Sequence, residues 1–381
     1  MRLFQLNLQN RLGGAEVFAG FCCRAFERLG LVSEMFVSPK AKYWHQLDMG
    51  AHTKLIPTTD PELILKRLTA QRSWLLTHTP LPRNISKGIP DVLVSGFAHM
   101  PPQGRDAQKG YGRYELIFPV SNWVLQGLLE SNLPAWHLPL YGVADLSGRQ
   151  IDRQSANVIQ RAGRYDWDQR KYRDQLLGLV EPLIENMRAH PPFIRRDGLT
   201  LGIVSRLTPI KQFPLMFAQL APVLARYPRV NLEIFGSGGY ASVRDLDAAL
   251  RPCASQVRFW GQQGNVAGIY RQLDYLLSGL PEKEALGLNI IEAQACGTPV
   301  MAVHAPPFTE TVSNGLTGFL YRDPREDAGA DFGRLLDELL EGRHRPKPEL
   351  AEGHLARFSV DAFVERLRPV VDDARRQTSR E

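Results

Sequence analysis

The chain has 381 residues, a formal net charge of +6 and a pI near 9.2. That length suits two domains, the 44% hydrophobic content is enough to bury a core in each, and no apolar run approaches the roughly 18 residues of a membrane-spanning helix. The basic balance suits an anionic ligand, a nucleic acid or an anionic membrane and does not choose among them.

Residues 1–8 alternate as a strand, and the start of the chain reads as that strand, not as a signal peptide. "GGAEVFAGFCCRAFERLG" follows as an amphipathic helix. Phe18, Phe21, Cys22, Ala25, Phe26 and Leu29 share one face, and Gly30 stops it. "SEMFVSP" is the next strand. This strand, glycine turn, helix, strand order is a βαβ unit and implies a parallel sheet. Further strands are expected at Asp91–Phe97 and Glu115–Ser121, with a helix from Asn122. Residues 146–197 read as a charged connecting helix and linker. A second βα series follows, with strands at Leu199–Ser205, Val230–Phe235, Val257–Phe259, Tyr275–Ser278 and Pro299–Val303. A last helix fills the tail and is expected to break near Pro369. Two successive βα series predict two Rossmann-like domains. Cys22, Cys23, Cys253 and Cys296 have no metal-ligand spacing and read as buried hydrophobes in a reducing cytoplasm.

Four places carry chemistry. Gly13 and Gly14 sit between a strand and a helix, where a backbone can approach an anion closely and a helix N-terminus favours it; a plain tight turn fits them too. Arg206 and Lys211, in "VSRLTPIKQF", follow the first strand of the second series, at the sheet edge where α/β folds bind ligands. Two cations there suit a diphosphate, as they also suit a solvated loop. "FGSGGY" runs a strand into a glycine loop that begins at Gly236, whose N–H groups are expected to face a phosphate or a base. In "EKEALGLNIIEAQACGTPVMA", Glu284 falls in a loop and Glu292 one turn into the following helix. The N–H groups of Gly287, Leu288 and Asn289 are expected at that helix mouth. Asp166–Asp168 ("DWD") and Asp245–Asp247 ("DLD") imitate metal-binding acid pairs, but both fall in segments that read as helical. The basic run Arg161, Arg164, Arg170, Lys171 and Arg173, ahead of Leu176, Leu179, Val180 and Leu183, suits either anionic lipid or a solvated helix end.

"EALGLNIIEAQACGTPVMA" resembles the signature of the retaining GT-B glycosyltransferases of family four: an acid, seven residues, a second acid, then Gly-x-Pro-Val. "RLGGAEVF", "SRLTPIK", "IFGSG", "PVSNWVLQGLL" with "PLYGV", and "FTETVSNGLTGFLY" are similar to other family segments, in the family's order. The chain departs from the pattern at Ala285-Leu286, at Tyr141 and at Ser205. The resemblance implies a GT-B fold: two Rossmann-like domains facing across a cleft, residues 1–195 and 196–355, with a C-terminal helix, 356–381, returning to the N-terminal domain. It implies transfer of a sugar from a nucleotide diphosphate to a hydroxyl of a glycan or glycolipid, with retention and without a metal or other cofactor. UDP-sugars are expected ahead of GDP- and ADP-sugars. Arg206 and Lys211 would hold the diphosphate, Glu292 the ribose and Glu284 the donor sugar. Gly14 would admit phosphate or acceptor, and His99, just past a strand of the N-terminal series, would face the sugar. The expected setting is the cytoplasm, on the inner face of an anionic membrane, in surface-polysaccharide or lipopolysaccharide synthesis. A nucleotide-sugar epimerase and a nucleic-acid-binding protein are the rival readings, although the cations lie at ligand edges and not among aromatics on strands.

Overall fold

The computed structural model describes residues 1–69, 72–86, 89, 92–102, 110–144, 159, 162–167, 172, 176 and 193–379. The chain divides into two compact units, Met1–Ala144 with Ala356–Glu381, and Asp145–Leu355.

The first unit is built on a parallel sheet of order β3-β2-β1-β4-β5-β6. The strands are β1 (Arg2–Asn7), β2 (Ser33–Val37), β3 (Thr53–Pro57), β4 (Ser73–Thr77), β5 (Leu93–Ala98) and β6 (Leu116–Pro119). Strand order reverses between β1 and β4, so the crevice that such sheets offer to ligands lies beyond the carboxyl ends of these two. Helix α1 (Gly14–Arg28) buries Phe18, Phe21, Cys22, Ala25 and Phe26, the face expected from their spacing. Helix α2 (Pro61–Leu68) starts on Asp60, whose carboxylate accepts from the Glu62 N–H. Helix α3 (Asn122–Glu130) is capped in the same way by Ser121.

The second unit repeats the plan with order β12-β11-β10-β7-β8-β9. Its strands are β7 (Leu199–Val204), β8 (Val230–Phe235), β9 (Val257–Gly261), β10 (Tyr275–Leu277), β11 (Val300–Val303) and β12 (Gly318–Tyr321). Here the order reverses between β7 and β10. Helices α4 (Phe213–Leu224), α5 (Tyr240–Ala249), α6 (Val266–Tyr270), α7 (Leu288–Ala295) and α8 (Ala330–Leu340) connect or flank the strands. Leu201, Phe217, Ile234, Leu276 and Met301 lie at the centre of one apolar core.

Three readings are corrected here. The last helix, α9 (Val360–Ser379), runs unbroken through Pro369. Proline removes one backbone bond, but Leu367, Val370 and Val371 on either side are buried and hold the helix against the sheet. It packs in the first unit, where Phe363 meets Phe18 edge-on at 5.3 Å and Asp361 pairs with Arg28. Secondly, Asp166 is not helical. Residues 162–167 run extended along the ends of β8 and β9, with Ala162 N–H donating to Trp260 O at 2.9 Å and Asp166 N–H to Gly238 O at 2.7 Å. Those bonds tie this stretch to the second unit, whereas the sequence reading draws the boundary at 195. Most of the expected connecting helix, with Asp168, Arg161, Arg170, Lys171 and Arg173, lies outside the described residues. Thirdly, β3, β4 and β12 are strands that sequence periodicity did not announce.

Candidate functional site

In the second unit, the loops after β7 and β10 meet at the strand-order reversal. After β7 the chain passes Arg206 and enters a short 3₁₀ turn, Pro209–Lys211, closed by Gln212 at φ +54°. After β10 comes Gly279, where a Cβ would fall 2.4 Å from the Lys211 carbonyl oxygen. Only glycine allows that approach, so one missing side chain lets the two loops lie against each other. The loop then carries Glu284 back to Lys211, and their side chains form an ion pair. Both are mostly shielded, 24% and 17% exposed. Two residues 73 positions apart are thus brought together. The Arg206 side chain is exposed and has no hydrogen-bonding or charged partner among the described residues.

Gly287 opens helix α7 at φ +85°, a conformation that favours glycine. Leu288 and Asn289 form the first turn, whose amides lack partners further back in the helix. The Asn289 amide side chain donates to Val204 O at 3.2 Å, pinning the helix mouth to the end of β7. On the same helix, Glu292 accepts from the Tyr270 hydroxyl at 3.4 Å. Burial first, and then the Glu292 charge, push the Tyr270 phenol well above its usual range. Tyr270 therefore remains a donor to Glu292 at any physiological pH. A second tie holds the loop from outside: Arg325 pairs with both Glu282 and Asp323.

Gly236 differs from its sequence reading. Its N–H donates to Gly261 O at 2.7 Å, and the Gly238 N–H donates to Arg164 O at 3.1 Å. These two amides are therefore engaged within the fold. Glycine is required at 236 for packing: φ is +137°, and a Cβ would sit 1.8 Å from Ser205 O. Ser237 and Gln262 meet beside it, and the Ser237 hydroxyl donates to Asp166 at 2.9 Å.

Gly13, Gly14 and His99 belong to the first unit. Gly13 caps α1 at φ −155°, which any residue adopts, so the backbone angle itself does not demand glycine. Asn7 ends β1 and donates to the buried Glu16 at 3.2 Å. His99, past β5, stacks on His78 at 5.9 Å and meets the edge of Phe18 at 5.3 Å. Burial lowers its pKa from 6.5 to about 4. His78, past β4, is lowered well below its ordinary value by burial and secondarily by His99. Its Nε2 lies 3.0 Å from Gln5 Oε1. Gln5 Nε2 already donates to Ser33, so Oε1 accepts and the His78 proton belongs on Nε2. His78 Nδ1 and His99 Nε2 are buried without partners among the described residues. His78, Gln5 and Tyr270 carry no sequence signature; only the folded arrangement reveals them.

Two parallel α/β units with this strand order define a GT-B fold. Residues 198–341 match the family model of the Glycosyl transferases group 1. The D-inositol 3-phosphate glycosyltransferase of Actinosynnema mirum is 32% identical over 192 residues, 47% of this chain and 45% of that protein. This chain spans about half the length of the curated relatives it matches. Among solved structures, Anabaena HepE in complex with UDP and glucose superposes with a TM-score of 0.68 at 15% identity, over 98% of this chain and all of that one. The lipopolysaccharide outer core galactosyltransferase WaaB gives 0.64 at 14%, over 98% of this chain and 99% of its own. The fold is that of the GT-B proteins, and residues 198–341 are similar to the Glycosyl transferases group 1.

Proposed function

We propose that this protein is a retaining glycosyltransferase that moves a sugar from a nucleotide diphosphate, a UDP-sugar first, to a hydroxyl of a glycan or glycolipid. The observation that carries the reading is the convergence of Arg206, Lys211, Glu284 and the mouth of α7, all inside the segment that matches the family model. In this reading the diphosphate lies against Arg206, Lys211 and the first amides of α7. Fixed cations and amides aimed at the departing phosphate stabilise the charge that develops there, so no metal is needed for that role. The donor must compete for Lys211, which is paired with Glu284. As the diphosphate takes the lysine, the Glu284 carboxylate turns to the hydroxyls of the donor sugar. Glu292, oriented by Tyr270, accepts from the ribose hydroxyls. The neutral ring of His99 offers hydrogen bonding to a hydroxyl without adding a charge. No second carboxylate joins Glu284 as a nucleophile in this reading; departure and attack take place on the same face of the sugar. Anabaena HepE was crystallised with UDP and glucose, and WaaB is a lipopolysaccharide galactosyltransferase. The first supports a UDP-sugar donor and the second a surface-glycan product; the cytoplasmic face of an anionic membrane is the setting we propose with them.

The test is a screen of UDP-, GDP- and ADP-sugars for nucleotide release, with and without acceptor alcohols. Transfer with the donor's anomeric configuration kept, seen by proton NMR, supports the reading. Isomerised nucleotide sugar or free 2-epimer, with no transfer to any acceptor, overturns it in favour of an epimerase.

A further inference from the structure

Away from the loops just described, the second unit has a cavity of about 590 Å³ beside the edge strand β9. That volume falls in the range of small-molecule sites. Its floor is apolar: Leu250, Val257, Phe259 and Trp260. Ile194 stands at the rim, 66% exposed. Three guanidiniums surround it, Arg164, Arg251 and Arg258, against one carboxylate, Asp247. None of the three arginines pairs with an acid among the described residues. The fold fixes two of them. Arg164 lies over the Phe259 ring at 5.2 Å, and Arg258 donates to Ile194 O at 3.2 Å. Arg251 is exposed and its side chain has no partner among the described residues. Elsewhere on this unit, surface arginines such as Arg244, Arg325 and Arg334 are matched by neighbouring carboxylates. The three at the cavity are left without such matching, around an apolar floor.

We propose that this cavity binds the phosphate of an anionic phospholipid, with the first part of the acyl chain against Phe259, Leu250 and Ile194. Arginine suits the phosphate because its planar fork gives two parallel charge-assisted hydrogen bonds. The apolar floor and the exposed isoleucine suit the chain, which a free phosphate would not use. The site lies within one unit and does not depend on the transfer reaction proposed above.

The experiment uses the full chain and flotation with vesicles of phosphatidylcholine alone or mixed with phosphatidylglycerol. The wild type is expected to partition to the anionic vesicles and to leave them at high salt. Each arginine near an anionic surface contributes about 1 kcal/mol, so Arg251→Glu, which removes one charge and adds its opposite, is expected to lose about 30-fold in partition. Ile194→Asp is expected to weaken it as well, and Arg251→Lys to keep most of it. Both altered side chains are on the surface, and UDP binding by each variant reports that the fold and the donor loops are intact. Equal wild-type binding to both vesicles overturns the proposal, as does unchanged binding by Arg251→Glu. Loss in Arg251→Glu with none in Ile194→Asp reduces the site to a charge patch. Displacement from vesicles by soluble glycerol phosphate makes it a free-phosphate site and rejects the lipid.

Discussion

Replacing Lys211 with alanine separates catalysis from stability in a way the geometry makes quantitative. Among the described residues Lys211 has one ionic partner, Glu284, and the pair is partly shielded at 24% and 17% exposure. An ion pair near the surface contributes about 0–1 kcal/mol net. In a unit of this length that moves Tm by about 2–4 °C at most. The expected kinetic effect is much larger. Removing one preorganised donor to a developing anion lowers the rate by about 10²–10³, roughly 3–4 kcal/mol. Lys211→Ala should therefore melt within a few degrees of wild type and still turn over hundreds of times more slowly at saturating donor. Lys211→Arg should lose less, because it keeps the charge while changing the geometry. The assay is initial-rate nucleotide release, alongside a thermal melt of the same samples and a wild-type control with EDTA. A Lys211→Ala variant with near-normal turnover and unchanged Tm would refute the leaving-group role. An EDTA-sensitive wild type with such a variant would place the charge stabilisation on a metal instead.

Glu292→Ala should weaken nucleotide binding by about 1.5–3 kcal/mol, since a charged acceptor for two hydroxyls is lost; titration calorimetry with UDP and GDP checks it, and equal affinities reject the ribose assignment. Glu284→Gln should lower turnover more than nucleotide affinity, because the acid is expected at the sugar and not at the base; full turnover at saturating donor would make it a loop acid that only pairs with Lys211. Gly236→Ala should destabilise by about 2–4 kcal/mol, from a Cβ set against Ser205 O and from a positive φ; a wild-type urea midpoint would contradict this. His99 is neutral when folded, with a pKa lowered by burial from 6.5 to about 4. The unfolded chain thus binds the extra proton first, and stability should fall as pH drops from about 6.5 towards 4, by about 3 kcal/mol in full. Urea unfolding across that range should show a shallower slope in His99→Phe, and equal slopes would remove His99 as its source.

How far the sequence carried depends on what each feature needs in order to be seen. Strands β7, β8 and β11 are apolar runs closed by turn residues, and their starts and ends fall within a residue of expectation. β4, "SWLLT", is equally buried. It is short, however, and periodicity alone does not separate a buried strand from a stretch of buried helix. β3 is an edge strand with a single buried residue, Ile56, so it has almost no apolar signal. At the site, residue type and position after a strand were enough to nominate Arg206, Lys211, Glu284 and Glu292. The Lys211–Glu284 pair was not legible, because it depends on Gly279 letting two distant loops touch. Gly236 was legible as important but not in its role: a glycine that admits a ligand and one that admits a neighbouring carbonyl look alike until the neighbour is placed. The residues that only support others, Tyr270 and Gln5, left no local pattern to read.

The two units treat charge in opposite ways where their strand orders reverse. In the second, a lysine and a glutamate are held in contact and an arginine is left exposed beside them. Such a place can receive two negative phosphates by exchanging one anion for another. In the first, the ends of β4 and β5 carry His78 and His99, and burial keeps both rings neutral. A histidinium there would have to be desolvated against Phe18 and Phe97, with no acid paired to either ring among the described residues. Neutral imidazoles with buried, unpartnered nitrogens suit hydroxyl groups, which both donate and accept. A charged ring would favour an anion over a hydroxyl group. In the function proposed above the anion falls to Arg206, Lys211 and the mouth of α7, and the neutral histidines of the first unit are left with no charge to offer it. Acidification therefore bears on the first unit. Protonation of His99 near pH 4 adds a cation to an apolar pocket and strains the first unit. Loss of activity in acid should accordingly track loss of folded first unit, and a His99→Phe variant that resists acid unfolding but binds UDP normally would separate the two effects.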